Sequence, residues 1–390
     1  MRVVIAPDKF KSSLNAAEVA AALARGVRDV VPDAACVAVP MADGGDGTVE
    51  AFLASGASAR TVRVTGPLGE PVEATYARDG ATAIVETAAA SGLALLGGRL
   101  GARRASTRGT GELLRDALDG GARRILLGIG GSATTDGGAG ALVALGARFL
   151  DDAGAELEPA PAGLAAVARV DLSGLDSRLR PAAGSGEPEV AIGVACDVDN
   201  PLLGPQGAAA VYGPQKGASP DDVAFLDRVL ARLADAMTAA TGRDLRGEPG
   251  AGAAGGLGWA LASACGARLE RGVMLVAEAR GLAGALRGAD WCFTGEGRID
   301  AQTLRGKVVD GVAALARAAN VPVIAFGGSV DRDAERELRA RGVRCMPIAP
   351  GPLSLDEAMR DAAANLRAAA ARATALLTIR VHDDEGETGR

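Results

Sequence analysis

The chain has 390 residues, 48% of them hydrophobic, and a formal net charge of -6. That length predicts two or three domains with a substantial buried core. The mildly acidic balance offers no basic footprint for nucleic acid, and residues 1–8 lack the apolar run of a secretory leader.

The opening reads as β-α-β. Val3, Val4, Ile5 and Ala6 form a short apolar run closed by Pro7, which suits a buried parallel strand. Asn15 with Glu18 makes a capping box, and Val19, Leu23, Val27 and Val31 recur at helical spacing before Pro32 and Asp33 stop the helix. A second strand over residues 36–39 runs into Asp43, Gly44, Gly45, Asp46, Gly47 and Thr48. The pattern then changes. Residues 61–64 and 71–76 alternate around Gly66-Pro67-Leu68-Gly69, a hairpin signature. Residues 83–86 and 125–127 read as further strands, and Ser219, Pro220, Asp221 and Asp222 open a helix whose inner face is Val229, Leu233 and Met237.

The uncharged run at 249–267 is mostly Gly, Ala and Ser, with Leu257, Trp259 and Leu261 as its large apolar residues. It reads as an active-site or packing segment and not as a membrane span. Towards the end, α/β alternation returns: strands at 291–294, 321–326 and 345–348, a helix over 302–320 and an Ala-rich helix over 355–377. The predicted architecture is α/β. A doubly wound Rossmann/flavodoxin-like domain comes from residues 1–60 plus 286–380, a mixed α/β domain is inserted at 61–285, and a disordered tail covers 381–390.

Composition also narrows the chemistry. The single histidine, His382, lies in the polar tail, which argues against triad hydrolases, His-dependent dehydrogenases and His-ligated zinc. The cysteines, at 36, 196, 265, 292 and 345, are scattered without metal-ligand spacing and suit a reducing cytoplasm. A divalent cation would then be hard, with Mg²⁺ first. Among 42 basic residues the only lysines are Lys9, Lys11, Lys216 and Lys307. A lysine retained in an arginine-rich chain points to a need for a compact point charge.

Open α/β sheets bind ligands beyond the carboxyl ends of their strands. Lys9, Lys11 and Ser13 follow the first strand, Asp46 the second, and Glu296, Arg298 and Asp300 the strand at 291–294. Between residues 128 and 140 stand six glycines with Ser132, Thr134, Thr135 and Asp136. Glycines such as Gly130 and Gly131 let backbone N–H groups approach phosphate, the hydroxyls add donors, and Asp136 suits a cation. The dinucleotide-like pattern Gly128-x-Gly130-x-x-Ala133 is discounted because residues 134–138 interrupt the helix it requires, and no Walker A sequence is present. Asp197, after the apolar run 190–195, is a candidate base or cation ligand. The loop around Tyr212 and Lys216 reads equally as a structured turn.

At these segments the chain resembles the type 1 glycerate kinase family of bacteria. The resemblance rests on residues 6–14, 41–48, 130–140, 196–202, 252–258 and 294–300, in order along almost the whole chain. Ser12 stands where the family often has glycine, and Asp46 where it often has glutamate. The resemblance implies ATP and D-glycerate as substrates, phosphoglycerate and ADP as products with 2-phosphoglycerate favoured, Mg²⁺ as cofactor, and two α/β domains with the active site in the cleft. On this map Lys9, Lys11 and Lys307 neutralise phosphates or the substrate carboxylate. Asp46, Asp136 and Asp197 share cation binding and hydroxyl orientation, and Arg298 forks onto the carboxylate. Partners beyond these small molecules are not expected, neither nucleic acid nor membrane, and monomer and homodimer stay open. Rival readings are a kinase for another small hydroxy acid, a non-catalytic hydroxy acid sensor, and an NAD-linked dehydrogenase.

Overall fold

A computed structural model describes residues 1–180 and 188–378. His382 and the predicted tail lie outside the described residues. The strands in chain order are β1 (Arg2–Ile5), β2 (Ala35–Ala38), β3 (Ser58–Thr65), β4 (Pro71–Asp79), β5 (Thr82–Glu86), β6 (Arg124–Gly128), β7 (Arg148–Leu150), β8 (Arg169–Asp171), β9 (Ala191–Ala195), β10 (Arg268–Glu270), β11 (Trp291–Ile299), β12 (Val323–Val330) and β13 (Val343–Pro347). The chain divides into two compact units, one of residues 1–41 with 280–390, the other of residues 42–279.

The first unit is built on a five-stranded sheet in the order β13-β12-β11-β1-β2. All its pairings are parallel. Such strands are covered on both faces, which explains why Val3, Val4 and Ile5 are all fully buried. Phe293 and Phe326, neighbours on β11 and β12, meet edge to face with ring centroids 5.2 Å apart, an arrangement worth about 0.5–1.5 kcal/mol beyond area burial. They share a core with Leu23 of the helix Ala16–Val30 and Leu366 of the helix Ala362–Leu377. The expected capping box is present: the Asn15 side chain accepts from the Glu18 N–H and Glu18 accepts from the Asn15 N–H.

Several boundaries differ from expectation, among them β12, predicted at 321–326 and observed at Val323–Val330. Strand β11 continues through Ile299, so Glu296 and Arg298 are strand residues and not loop residues. Glycines make this possible. A Cβ at Gly295 would meet the Phe326 carbonyl oxygen at 2.4 Å, and one at Gly328 would meet that of Gly297 at 2.5 Å, so side chains there would push β11 and β12 apart. The predicted helix over 302–320 is broken at Gly306, whose φ of +97° is left-handed, and resumes as Val308–Ala318. The long terminal helix divides at Asp361 into Leu355–Arg360 and Ala362–Leu377.

The second unit holds a six-stranded mixed sheet in the order β10-β9-β6-β5-β4-β3. Strands β10, β9, β6 and β5 run parallel, and β4 and β3 close one edge as the expected antiparallel hairpin. A separate antiparallel pair joins β7 to β8. The Gly- and Ala-rich segment supplies the helix Leu257–Cys265, buried at every position, with Trp259 packed into the same core as Ile125, Leu127 and Leu233. Among the described residues no helix is long and apolar enough to cross a membrane.

The contact between the helices Ala16–Val30 and Ala362–Leu377 sets one prediction. A Cβ at Gly26 would lie 2.2 Å from the Arg367 carbonyl oxygen and 2.7 Å from Ala370 Cβ. Alanine in a helix interior is worth about 1 kcal/mol over glycine, but the obstacle here is backbone, so overpacking of about 1–3 kcal/mol outweighs it. Gly26→Ala is expected to lower the urea midpoint. A midpoint raised by the helix-propensity gain would show that the helices separate freely.

Candidate active site

The site in the second unit grows from the carboxyl ends of β5, β6 and β9. Strand β6 ends at Gly128, and the loop after it crosses a cavity of about 260 Å³ lined by Gly44, Gly45, Gly130, Gly131, Ser132, Asp197, Tyr212, Gln215 and Lys216. The loop is held along one side by the segment at residues 91–93: the Leu93 N–H donates to the Gly131 carbonyl at 2.8 Å and the Ala133 N–H to the Ser91 carbonyl at 2.9 Å. These bonds leave the N–H groups of Gly130, Gly131 and Ser132 without a protein acceptor among the described residues. Three free donors in succession on a cavity wall form a ready anion cradle.

Behind the cradle the loop is tied down by Asp136, which is fully buried. Its Oδ2 accepts from the Thr107 N–H at 2.7 Å, the Thr107 hydroxyl at 2.8 Å and the Gly140 N–H at 3.2 Å, while Oδ1 accepts from the Gly138 N–H at 3.2 Å. Burial raises its pKa, and these donors pull the other way. Thr134 and Thr135 are also fully buried. The Thr134 hydroxyl pairs with that of Ser132 at 3.0 Å, and the Thr135 hydroxyl has no hydrogen-bond partner. The sequence suggested that Thr134, Thr135 and Asp136 face a ligand. They lie beneath the cavity lining instead, because the glycines between 137 and 140 turn the chain inward and Asp136 is consumed by its own backbone.

Asp197 and Asp46 stand differently. Asp197 follows β9, is exposed at the cavity, and accepts from the Gly272 N–H at 3.2 Å. Desolvation by the surrounding wall, with the nearby charge of Asp43, raises its carboxyl above the ordinary range, while the Gly272 N–H and Arg271 oppose the shift. Asp46 lies against the cradle, since a Cβ on Gly130 or Gly131 would come within 3.3 or 3.4 Å of its Oδ1. Its charge adds to burial in raising the pKa of Glu86, whose Oε1 accepts from the Val49 N–H at 2.9 Å.

Among the described residues no group of three His, Cys, Asp or Glu side chains is placed to hold a metal ion. That excludes a protein-only cage there but not Mg²⁺, which usually takes one or two carboxylates, water and substrate phosphates. Asp197, on the cavity wall, and Asp46, set against the cradle outside the cavity lining, fit that mode. Asp136, saturated by its own donors, does not.

In the first unit the remaining candidates line the carboxyl ends of β1 and β11. Lys9 follows β1, and its N–H donates to Asp8 Oδ1 at 2.7 Å. The turn that follows is closed by the Ser13 hydroxyl, which donates to the Phe10 carbonyl at 3.1 Å. Lys11 and Ser13 share a cavity of about 190 Å³ with Gly297, Gly328, Ile348 and Met359. Glu296 is buried and accepts a hydrogen bond from the Thr303 hydroxyl. Arg298 is exposed and pairs with Asp300 at 3.3 Å. Lys307 caps the helix Val308–Ala318, and its Nζ donates to Gln302 Oε1 at 2.8 Å.

Lys216 is the residue that sequence reasoning left without a role. It is 2% exposed, lines the cavity, and donates to the Thr134 carbonyl at 2.5 Å. Burial brings its pKa down to about 8, and the charge of Asp136 opposes that fall. The signal that marked it was its rarity as a lysine.

Of the thiols, Cys196 lines the cavity beside Asp197, its pKa raised by burial. All are free, and Cys265 and Cys292 are pushed up to about 12 by burial, which keeps them protonated and inert.

An α/β protein whose cavity carries three backbone N–H groups without a protein acceptor, a raised carboxylate and a buried ammonium, with no histidine among the described residues, fits the class of group-transfer enzymes that act on an anion and a hydroxyl. A sequence model of the glycerate kinase family matches residues 3–378. The chain is 48% identical over 368 residues to the glycerate kinase of Bacillus subtilis strain 168, covering 93% of this chain and 94% of that protein. It is 44% identical over 384 residues to the glycerate 2-kinase of Escherichia coli K12, covering 97% and 98%. The crystal structure of a protein named as glycerate kinase 2 from Salmonella typhimurium LT2 superposes with a TM-score of 0.85 at 44% identity, over 97% of this chain and 98% of that one. The chain belongs to the glycerate kinase family and is a phosphotransferase with an alcohol group as acceptor.

The buried carboxylate is testable. Asp136→Asn preserves shape but presents an amide donor to the N–H groups of Thr107, Gly138 or Gly140, and a loss of about 1–3 kcal/mol follows for the groups left unmatched. Urea unfolding is expected to show a lower midpoint together with reduced turnover. Native stability in the variant would mean that the charge is not what holds the loop.

Proposed function

We propose that the chain transfers the γ-phosphoryl group of ATP to D-glycerate at O2, giving 2-phosphoglycerate and ADP, with Mg²⁺ as the accompanying cation, in the cytoplasm. The observation that carries this reading is one cavity lined both by Gly130, Gly131 and Ser132, whose N–H groups have no protein acceptor among the described residues, and by Asp197. Phosphoryl transfer asks for positioning and charge neutralisation more than for covalent chemistry, and these residue types supply both. The glycerate 2-kinase name of the Escherichia coli relative favours O2 over O3.

The roles divide by chemistry. The N–H groups of Gly130, Gly131 and Ser132 meet the oxygens of the transferring phosphoryl group. Asp197 orients the acceptor hydroxyl and takes its proton, and a carboxyl raised by burial is better matched to that task than an ordinary one. Asp46 and Asp197 would hold Mg²⁺, which would supply neutralisation of phosphate charge. Thr134, Thr135 and Asp136 position the cradle from beneath.

We further read the five-stranded sheet as a doubly wound, flavodoxin-like sheet. Taken in its own succession its order is 2-1-3-4-5, with the switch point between β1 and β11. Lys9 and Glu296 belong to that point, Lys11, Arg298 and Lys307 to its surroundings, and on this reading they serve the nucleotide phosphates. Free cysteines throughout the described residues support a reducing compartment.

Phosphorus NMR of the product of ATP and D-glycerate is expected to show 2-phosphoglycerate. Removing the base, Asp197→Asn, is expected to lower kcat by about 10²–10⁴-fold, and Lys9→Met to lower kcat/KM for ATP. Near-native turnover in both variants would refute this assignment of roles, and a product phosphorylated at O3 would refute the regiochemistry alone.

A further inference from the structure

Lys216 ends the 3₁₀ turn Pro214–Lys216, which follows the helix Ala208–Tyr212. Its ammonium group has three N–H donors and no acceptor capacity. Leaving such donors unpaired away from water costs more than almost any other polar burial. The only acceptor that Nζ reaches among the described residues is the Thr134 carbonyl. Asp136 attracts it through space, but the hydrogen bonds Asp136 accepts come from Ser106, Thr107, Gly138 and Gly140. Two of the three donors are therefore unspent, on a side chain that is 2% exposed and lines the cavity.

The charges of that lining choose the ligand. Lys216 is its only cation and Asp197 its only anion among the described residues. The several charges of a polyphosphate are met, on the reading above, by Mg²⁺ and the backbone cradle, which leaves the one ammonium for a ligand of single charge. A monocarboxylate brings one, and the backbone cradle at 130–132 remains for the phosphoryl group in flight. Asp197 repels a carboxylate but welcomes a hydroxyl, so a short hydroxy acid has one natural orientation here.

We infer that Lys216 is the substrate-specificity residue of the enzyme, binding the carboxylate of the hydroxy acid through the two N–H groups not used by Thr134 and so turning the acceptor hydroxyl towards Asp197. This rests on the kinase reading above. It also predicts discrimination against neutral polyols: a triol would leave a buried ammonium unanswered, and sites built around a buried polar group reject ligands that cannot pair with it. Burial of Lys216 supports a pH signature. Its pKa is brought down to about 8 with Asp136 opposing, and Asp197 is the other charged group on the cavity. The charged form is therefore lost as pH rises through that value, and carboxylate binding is lost with it.

The test is steady-state kinetics of the full chain with ATP and D-glycerate. Wild-type turnover of D-glycerate checks the kinase reading by itself. Lys216→Met is expected to raise KM for glycerate by about 10–100-fold, the loss expected for one charge-assisted bond, with KM for ATP within about twofold of wild type and with weaker preference for glycerate over glycerol. Lys216→Arg, which keeps charge but not the compact head, is expected to fall between. A rise confined to KM for ATP, or an equal loss of kcat with both acceptors, would overturn the inference. Should the variants fail to fold, the wild-type pH profile decides. The expected result is that kcat/KM for glycerate falls above about pH 8 while kcat/KM for ATP at saturating glycerate stays level. A level glycerate profile to pH 9.5, or a parallel fall in both, would overturn it.

Discussion

A carboxylate removed from water survives only where donors replace its hydration, and Asp136 has assembled that replacement from two stretches of chain. Thr107 supplies an N–H and a hydroxyl from the start of the helix Arg108–Asp119, while Gly138 and Gly140 supply N–H groups from its own loop. The knot fixes where the loop after β6 ends, and the bridge to residues 91–93 fixes where it passes. The cradle at 130–132 hangs between those two anchors. Asp136 also supplies the negative charge that favours an ammonium at Lys216. Cradle and cation thus depend on one buried charge that lies outside the cavity lining.

This separation of labour suits phosphoryl transfer. Donors aimed at developing charge act well only if they need not move when the charge appears. Backbone N–H groups on a loop tied at both ends meet that condition better than flexible side chains. Under the proposed roles, the charged side chains of the cavity lining, Asp197 and Lys216, have narrower tasks with hydroxyl and carboxylate. Their pKa shifts share one cause, desolvation, and it acts on them in opposite directions: up for the acid, down for the base.

Much of this was legible in residue patterns, and what was not has identifiable causes. The capping boxes at Asn15 and Ser219, the hairpin at 58–79 and the buried β1, β6 and β9 follow from periodicity and turn chemistry, and all are present. The extension of β11 was hidden because Gly295, Glu296, Gly297 and Arg298 read as a loop. Only the approach of β12 shows that the glycines serve pairing. Strands as short as β7, β8 and β10, at three residues each, carry no readable period. Within the loop after β6, the same mix of glycine, hydroxyl and acid lines a cavity at 130–132 and is buried in packing at 134–136. Sequence cannot tell those halves apart, since the difference lies in which way the chain turns. Lys216 was conspicuous as a rare lysine yet had no neighbouring motif, because its partners lie some eighty residues away at Thr134 and Asp136.

The insertion of the second unit between β2 and β11 has a consequence for how the protein comes off the ribosome. Strand β1 is interior in its sheet, flanked by β2 and β11, yet β11 begins only at Trp291. At the usual pace of synthesis the nascent β1 waits on the order of tens of seconds for that neighbour, with one edge open and its apolar faces uncovered. The second unit emerges whole within that interval. Assembly order is therefore inverted relative to chain order: the amino-terminal strands are made first and finished last, and their exposure meanwhile is the step at which a chaperone has the most to protect.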